Sequence, residues 1–190
     1  MGRGGDGENV LSDRGEGLGY DKEFLESCGL KNPGRLFSAS CGSGCPLRLP
    51  GGPIAGETVI DFGCGAGHDV IIASCLVGNT GRVIGIDMTP EMIDAAKKNV
   101  EMYQGNADNI ELLCAAIDNP DELVGVVDAN SADVVISNGV LNLCADKRAA
   151  FAMAFRALKP GGRFLLSDLC RVETNPSAVV SCSVGDGWSS

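Results

Sequence analysis

Residues 58–72 constrain the fold more than any other stretch: Thr58-Val59-Ile60-Asp61-Phe62-Gly63-Cys64-Gly65-Ala66-Gly67-His68-Asp69-Val70-Ile71-Ile72. The first five make a short apolar run of the kind that forms a buried strand. Gly63, Gly65 and Gly67 then allow a sharp turn and leave bare backbone against which a ligand can lie. Apolar residues resume at Val70, Ile71, Ile72, Leu76 and Val77 and stop at Gly78, which predicts a helix with a glycine cap. Strand, glycine turn and helix are the parts of a nucleotide-binding βα unit. The free N–H groups at the helix start would point at the ligand.

The glycine spacing selects among nucleotides. A dinucleotide fingerprint starting at Gly63 would place its third glycine at position 68, where His68 stands. The spacing here is Asp61-x-Gly63-x-Gly65-x-Gly67. A carboxylate at Asp61 would repel a pyrophosphate, but it can attract a cation or bond an amino-acid amino group. That chemistry favours S-adenosylmethionine over NAD.

From Glu57 onward, strand and helix patterns alternate, as in a parallel α/β sheet. Strands are expected over Thr58–Phe62, Arg82–Asp87, Ile110–Cys114, Asp133–Ser137 and Arg163–Leu169. The second helix starts at Thr89 with Pro90 in its first turn and runs to Tyr103. A short helix is expected over Asp121–Val124. A longer one spans Asp146–Leu158 and is stopped by Pro160-Gly161-Gly162. The reading is a doubly wound, mostly parallel sheet that looks truncated after strand five, with one edge strand at most from Ala178–Cys182. Four segments follow: a disordered tail over 1–18, a short helix (Asp21–Cys28) and loop within 19–56, a cofactor-binding domain over 57–170, and an irregular tail over 171–190.

Several residues fall at the carboxyl edge of such a sheet. Asp87 ends the second strand, and one carboxylate can accept from both ribose hydroxyls. Met88 adjoins it. Ala116 and Ile117 follow the third strand and can cover an adenine ring, with Asp118 accepting from its exocyclic amine. Asn138 ends the fourth strand, where it can hold a methionine amino group. His68 is expected in the first helical turn, near solvent or cofactor, and a single histidine builds no nucleophilic triad.

The formal net charge of −10 argues against nucleic acid or an anionic membrane as partner, and no apolar stretch reaches membrane-spanning length. Without a secretory signal, the nine cysteines read as reduced thiols in a cytoplasmic setting. The absence of any Cys-x-x-Cys pair speaks against a structural zinc site. Most of the thiols are expected to pack as small hydrophobes. Cys41 and Cys45 lie in a glycine-rich loop that can fold over the cofactor. Cys144 follows the fourth strand, and Cys182 lies in the tail. Thiolates favour soft ions.

The glycine turn resembles motif I of the class I methyltransferases. Longer stretches narrow the resemblance: Gly81 to Thr89, Val134 to Asn138 with Asn142-Leu143 and Asp146-Lys147, and Leu158 to Gly162. Over about residues 41–170 the chain is similar to the arsenite methyltransferases. The resemblance implies methyl transfer from S-adenosylmethionine to trivalent arsenic held by cysteine thiolates. It implies Cys41 or Cys45 as the thiol ahead of the first strand and Cys182 as a downstream thiol. These three are the catalytic candidates and the arsenite ligands, with no other metal expected. Where members of the family carry cysteine after Ser-Asn, this chain has Gly139. Methyl transfer to another small molecule (a quinone, thiol or selenium compound) and a cofactor-binding module without turnover are the competing readings. The partner expected is a small molecule; the sequence does not fix an oligomeric state.

Overall fold

The computed structural model describes residues 17–28, 30, 43–103 and 107–170. Cys41, Cys182 and the edge strand expected over Ala178–Cys182 lie outside the described residues.

Five strands form one parallel sheet: β1 (Thr58–Phe62), β2 (Arg82–Asp87), β3 (Ile110–Cys114), β4 (Ala132–Asn138) and β5 (Leu158–Ser167). Their spatial order is β3-β2-β1-β4-β5. The chain builds outward from β1 through β2 to β3, then crosses back to place β4 on the other side of β1. That reversal opens a crevice between the carboxyl ends of β1 and β4, where ligands of doubly wound sheets bind. The register pairs Asp61 with Gly85 on one side and Ile136 on the other.

Alternation along the strands builds two cores. Val59, Val83, Val134 and Ile136 face one way and pack with α2 (His68–Val77) and with Tyr20 and Leu25 around α1 (Lys22–Ser27). Ile60, Phe62, Ile84, Ile86 and Val135 face the other way, against Leu123 of α4 (Pro120–Leu123) and Ala150, Met153, Ala154 and Ala157 of α5 (Lys147–Ala157). α3 (Pro90–Tyr103) joins the first layer through Ile93. The central strands are buried on both faces, which is why they read as continuous apolar runs.

The helix ends follow local chemistry. Asp21, Asn119 and Asp146 each accept a backbone N–H at a helix start. The α2 helix begins after Gly67, whose φ of 83° is left-handed, and its Gly78 cap donates to the Ser74 carbonyl. The expected boundaries hold to within a residue for the first three strands and the first two long helices. The fifth strand differs: it starts at Leu158, directly after α5, and ends at Ser167 rather than Leu169. Pro160-Gly161-Gly162 therefore lies inside the strand and not in a connecting turn. The pairing with β4 jumps between Ala132 and Val134, and this irregularity absorbs the extra residues. Among the described residues β5 ends the sheet order, the position where a strand tolerates proline.

Candidate active site

A cavity of about 500 Å³ lies at the carboxyl ends of the strands, a size suited to a nucleotide-like ligand. The β1–α2 turn forms its floor. Gly63 has a φ of 78°, and a Cβ there would come within 2.3 Å of the Val140 side chain, so no other residue fits. Gly65 faces open space instead: a Cβ there would meet nothing within 4 Å. The backbone of the turn is thus exposed to whatever fills the cavity.

Four carboxylates line this space, Asp61, Asp69, Asp87 and Asp118, while among the described residues no lysine or arginine does. Asp61, near the end of β1, is 2% exposed, and among the described residues no donor bonds its carboxylate. Burial, then the nearby Asp69 and Asp87, push its proton affinity well above the ordinary carboxylate range. On its own such an acid is held toward its protonated form, and a cationic ligand placed beside it would favour the charged form.

Asp87 is placed differently. Its Oδ2 accepts from Gly65 N at 2.9 Å and its Oδ1 from Thr89 N at 2.9 Å. The carboxylate therefore fixes the glycine turn and the start of α3 at once. Each oxygen keeps a second lone pair for a ligand hydroxyl. Met88 and Met92 flank it and reach the cavity, Met88 being 70% exposed. Ile117 also lines the cavity. Ala116 lies one step behind, its N–H donating to Glu122 Oε2 at 2.8 Å. Asp118 reaches across the rim, where its Oδ2 accepts from Ala145 N and Asp146 N and pins the β4–α5 loop.

Asn138 lines the cavity too, but its amide faces the N-terminal segment. Oδ1 accepts from Ser43 N at 2.8 Å. Nδ2 donates to Gly44 O at 2.7 Å, Tyr20 Oη at 2.8 Å and Asp69 Oδ2 at 3.0 Å. A contribution of Asn138 to ligand binding thus falls to its backbone. His68 is only 7% exposed and lines the cavity, the second of the two positions expected for it, and burial depresses its pKa to about 4. It is a neutral ring in the cavity wall at physiological pH.

The described thiols divide by position. Cys45 starts the short 3-10 turn Pro46–Arg48 and is half-buried behind Tyr20, not on the cavity wall. Burial, then Asp69, push its pKa up to about 12. Cys64 and Cys144 do line the cavity. Burial raises both, most strongly Cys64, while Lys147 partly offsets the effect at Cys144. Cys144, expected after the fourth strand at the carboxyl edge, reaches the cavity just past the 3-10 turn Leu141–Leu143. The Tyr20–Asp69 contact left no trace in the sequence.

Comparison with known proteins gives a consistent picture. Residues 54–186 match the family described as "Methyltransferase domain". The arsenite methyltransferase of Halobacterium salinarum is 38% identical over 178 residues, covering 90% of this chain and 42% of that protein. The human arsenite methyltransferase is 36% identical over 130 residues, 66% of this chain and 34% of its own length. Among solved structures, the arsenic(III) S-adenosylmethionine methyltransferase of Chlamydomonas reinhardtii superposes with a TM-score of 0.66 at 31% identity, covering 76% of this chain and 48% of that one. The chain spans less than half the length of these relatives.

Proposed function

We propose that this chain, which belongs to the methyltransferase-domain family, binds S-adenosylmethionine in the carboxylate-lined cavity and passes the methyl group to trivalent arsenic held by cysteine thiolates. One observation carries the cofactor half: the buried Asp61 carboxylate on a wall of four acids that, among the described residues, offers no positive side chain. The residues fit this group. It brings a sulfonium and an ammonium to a wall of acids, and a ribose to Asp87.

S-adenosylmethionine supplies a methyl group activated by the sulfonium charge. The protein's part is placement. Asp61 and Asp69 hold the positively charged end, Asp87 accepts from the ribose hydroxyls, and Met88 and Ile117 cover the base, with Ala116 behind them. Gly63, Gly65 and Gly67 let the backbone approach. An arsenic or sulfur lone pair needs no proton removed, which suits a site whose one histidine is neutral and buried. The rate then comes from alignment of lone pair and methyl group and from exclusion of water.

Thiolates would hold the acceptor. Cys41, Cys45 and Cys182 are the candidates from the sequence, and Cys144 joins them from its place on the wall. Cys45 needs a partner before it can ionise, since burial holds it protonated. Similarity to arsenite methyltransferases supports the arsenic half. Methyl transfer from labelled cofactor to arsenite plus thiol, beside a panel of quinone, thiol and selenium acceptors, tests it. Transfer to arsenite that falls in Cys45→Ser or Cys144→Ser is expected. Transfer to another acceptor, unchanged by these substitutions, would assign the site to that substrate.

A further inference from the structure

We infer that Tyr20 is a positioning residue for cofactor binding: through Asp69 and Asn138 it joins the N-terminal segment and the cavity wall into one unit. The inference rests on S-adenosylmethionine as the ligand. It concerns a residue 38 positions before the first strand, in no contact with the cavity itself.

The geometry is a closed polar cluster inside the fold. Tyr20 is 3% exposed and Asp69 6%. Tyr20 Oη donates to Asp69 Oδ1 at 2.6 Å, and Asn138 Nδ2 donates to Tyr20 Oη and to Asp69 Oδ2. The Asn138 amide is oriented by its paired bonds to Ser43 N and Gly44 O. Gly44 in turn packs so closely on β5 that a Cβ there would meet Ser167 Oγ at 2.3 Å. Four segments of the chain thus meet at Asp69: the start of α1, the loop at 43–45, the first turn of α2 and the end of β4. Asp69 and Asn138 present their other sides to the cavity.

Burial favours a protonated Asp69, whereas the Tyr20 hydroxyl and the Asn138 amide bond its charged form. The other ionisable groups facing this cluster are Cys45, Asp61 and, beyond Asp61, Asp87. All are acidic, so among the described residues no neighbouring cation shares with the hydroxyl and the Asn138 amide the role of holding the charge. Without the hydroxyl, Asp69 takes up a proton at higher pH and the wall loses one negative charge for the cationic ligand.

The test uses Tyr20→Phe, which keeps the ring in the core and removes one oxygen. Binding of S-adenosylmethionine is titrated calorimetrically from pH 5 to 8, with melting temperatures alongside. Arg48→Ala is the control; Arg48 bonds Asp21 and Gly19 on the outside of the same segment. We expect Tyr20→Phe to bind about tenfold more weakly at neutral pH, the effect of losing one charge-assisted hydrogen bond. The acidic loss of affinity should begin at higher pH. Arg48→Ala should lower the melting temperature and leave that pH profile in place. A folded Tyr20→Phe protein with wild-type affinity and pH profile overturns the inference. Should Tyr20→Phe fail to fold, Tyr20→Met, which also removes the hydroxyl and keeps an apolar side chain in the core, decides by the same two readouts: weaker binding with the acidic loss shifted to higher pH supports it, and wild-type affinity and pH profile overturn it. Wild-type protein that binds no S-adenosylmethionine at any pH overturns the cofactor assignment itself, and this inference with it.

Discussion

The two edges of the sheet treat charge in opposite ways. At the amino edge, acids are paired within the chain. Arg163 Nη2 meets both Glu57 oxygens at 2.9 and 2.7 Å, Lys159 Nζ lies 2.7 Å from Asp133 Oδ2, and Arg82 pairs with Glu111. Asp133 also accepts from Thr58 N at the start of β1. At the carboxyl edge, Asp61, Asp69, Asp87 and Asp118 face a cavity without one basic side chain among the described residues of its walls. An edge that serves only the fold satisfies its own charges. An edge left with buried, like-charged acids is less stable than it need be, and that deficit is what a cationic ligand removes.

The contrast has a pH signature with opposite signs. Hydrogen bonds from Arg163 and Lys159 hold Glu57 and Asp133 below the ordinary carboxylate range despite some desolvation. Their stabilisation is present above the unfolded carboxylate values, about pH 4, and is lost as pH falls through the lowered folded values. Asp61 and Asp69 are raised by burial. Their contribution is full below about pH 4 and is lost as pH rises through the raised folded values.

The largest effect is expected at Asp61. Asp61→Asn should weaken S-adenosylmethionine binding by about 3 kcal/mol, the range for removing one partner of a buried charge pair. The same variant should melt at a higher temperature than wild type when no ligand is present and the pH is high enough to ionise Asp61, because the cost of a buried carboxylate is gone. Calorimetric titration and a thermal melt of the one variant check both signs. Asp87→Ala comes next, with about 2 kcal/mol of binding lost. Here stability should fall as well, since Gly65 N and Thr89 N lose their acceptor. The difference between Asp61 and Asp87 in the melt separates a ligand-directed acid from one that also holds a turn. Glu57→Gln at the opposite edge should cost about 1–2 kcal/mol of stability in denaturant unfolding, because Arg163 is left half-buried without its acid. Cofactor affinity should not move. The smallest effect belongs to Lys159→Ala: its side chain is 42% exposed, so at most about 1 kcal/mol of stability is lost, again with binding intact.

Legibility in the sequence followed the range of the interactions. The turn from Gly63 to Gly67 is specified by neighbours a few residues apart, so its ligand-facing geometry could be read from spacing alone. Asp87 at the end of β2 was readable because strand and helix signals bracket it. The start of β5 was not, because Pro160-Gly161-Gly162 is a local turn signal that pairing with β4 overrides. The Tyr20–Asp69–Asn138 cluster joins residues 49 and 118 positions apart, and no periodicity encodes such a meeting. The thiols show the same limit. Cys45 reads as a loop cysteine free to close over the cofactor but packs behind Tyr20, whereas Cys144 lines the cavity at the carboxyl edge, where its place after the fourth strand puts it.

The central claim is that the carboxyl edge is built to receive a cation, with Asp61 as its anchor. Titration of S-adenosylmethionine into wild-type protein at several pH values, in two buffers of different ionisation enthalpy, addresses it directly. Binding should return raised carboxyls to their charged form, so protons are released on binding. The affinity should fall as pH drops below the raised values, by up to about tenfold per pH unit for each proton linked. Asp61→Asn should lose most of that release. Binding that is tight, independent of pH between 5 and 8 and unaccompanied by proton release would contradict the claim.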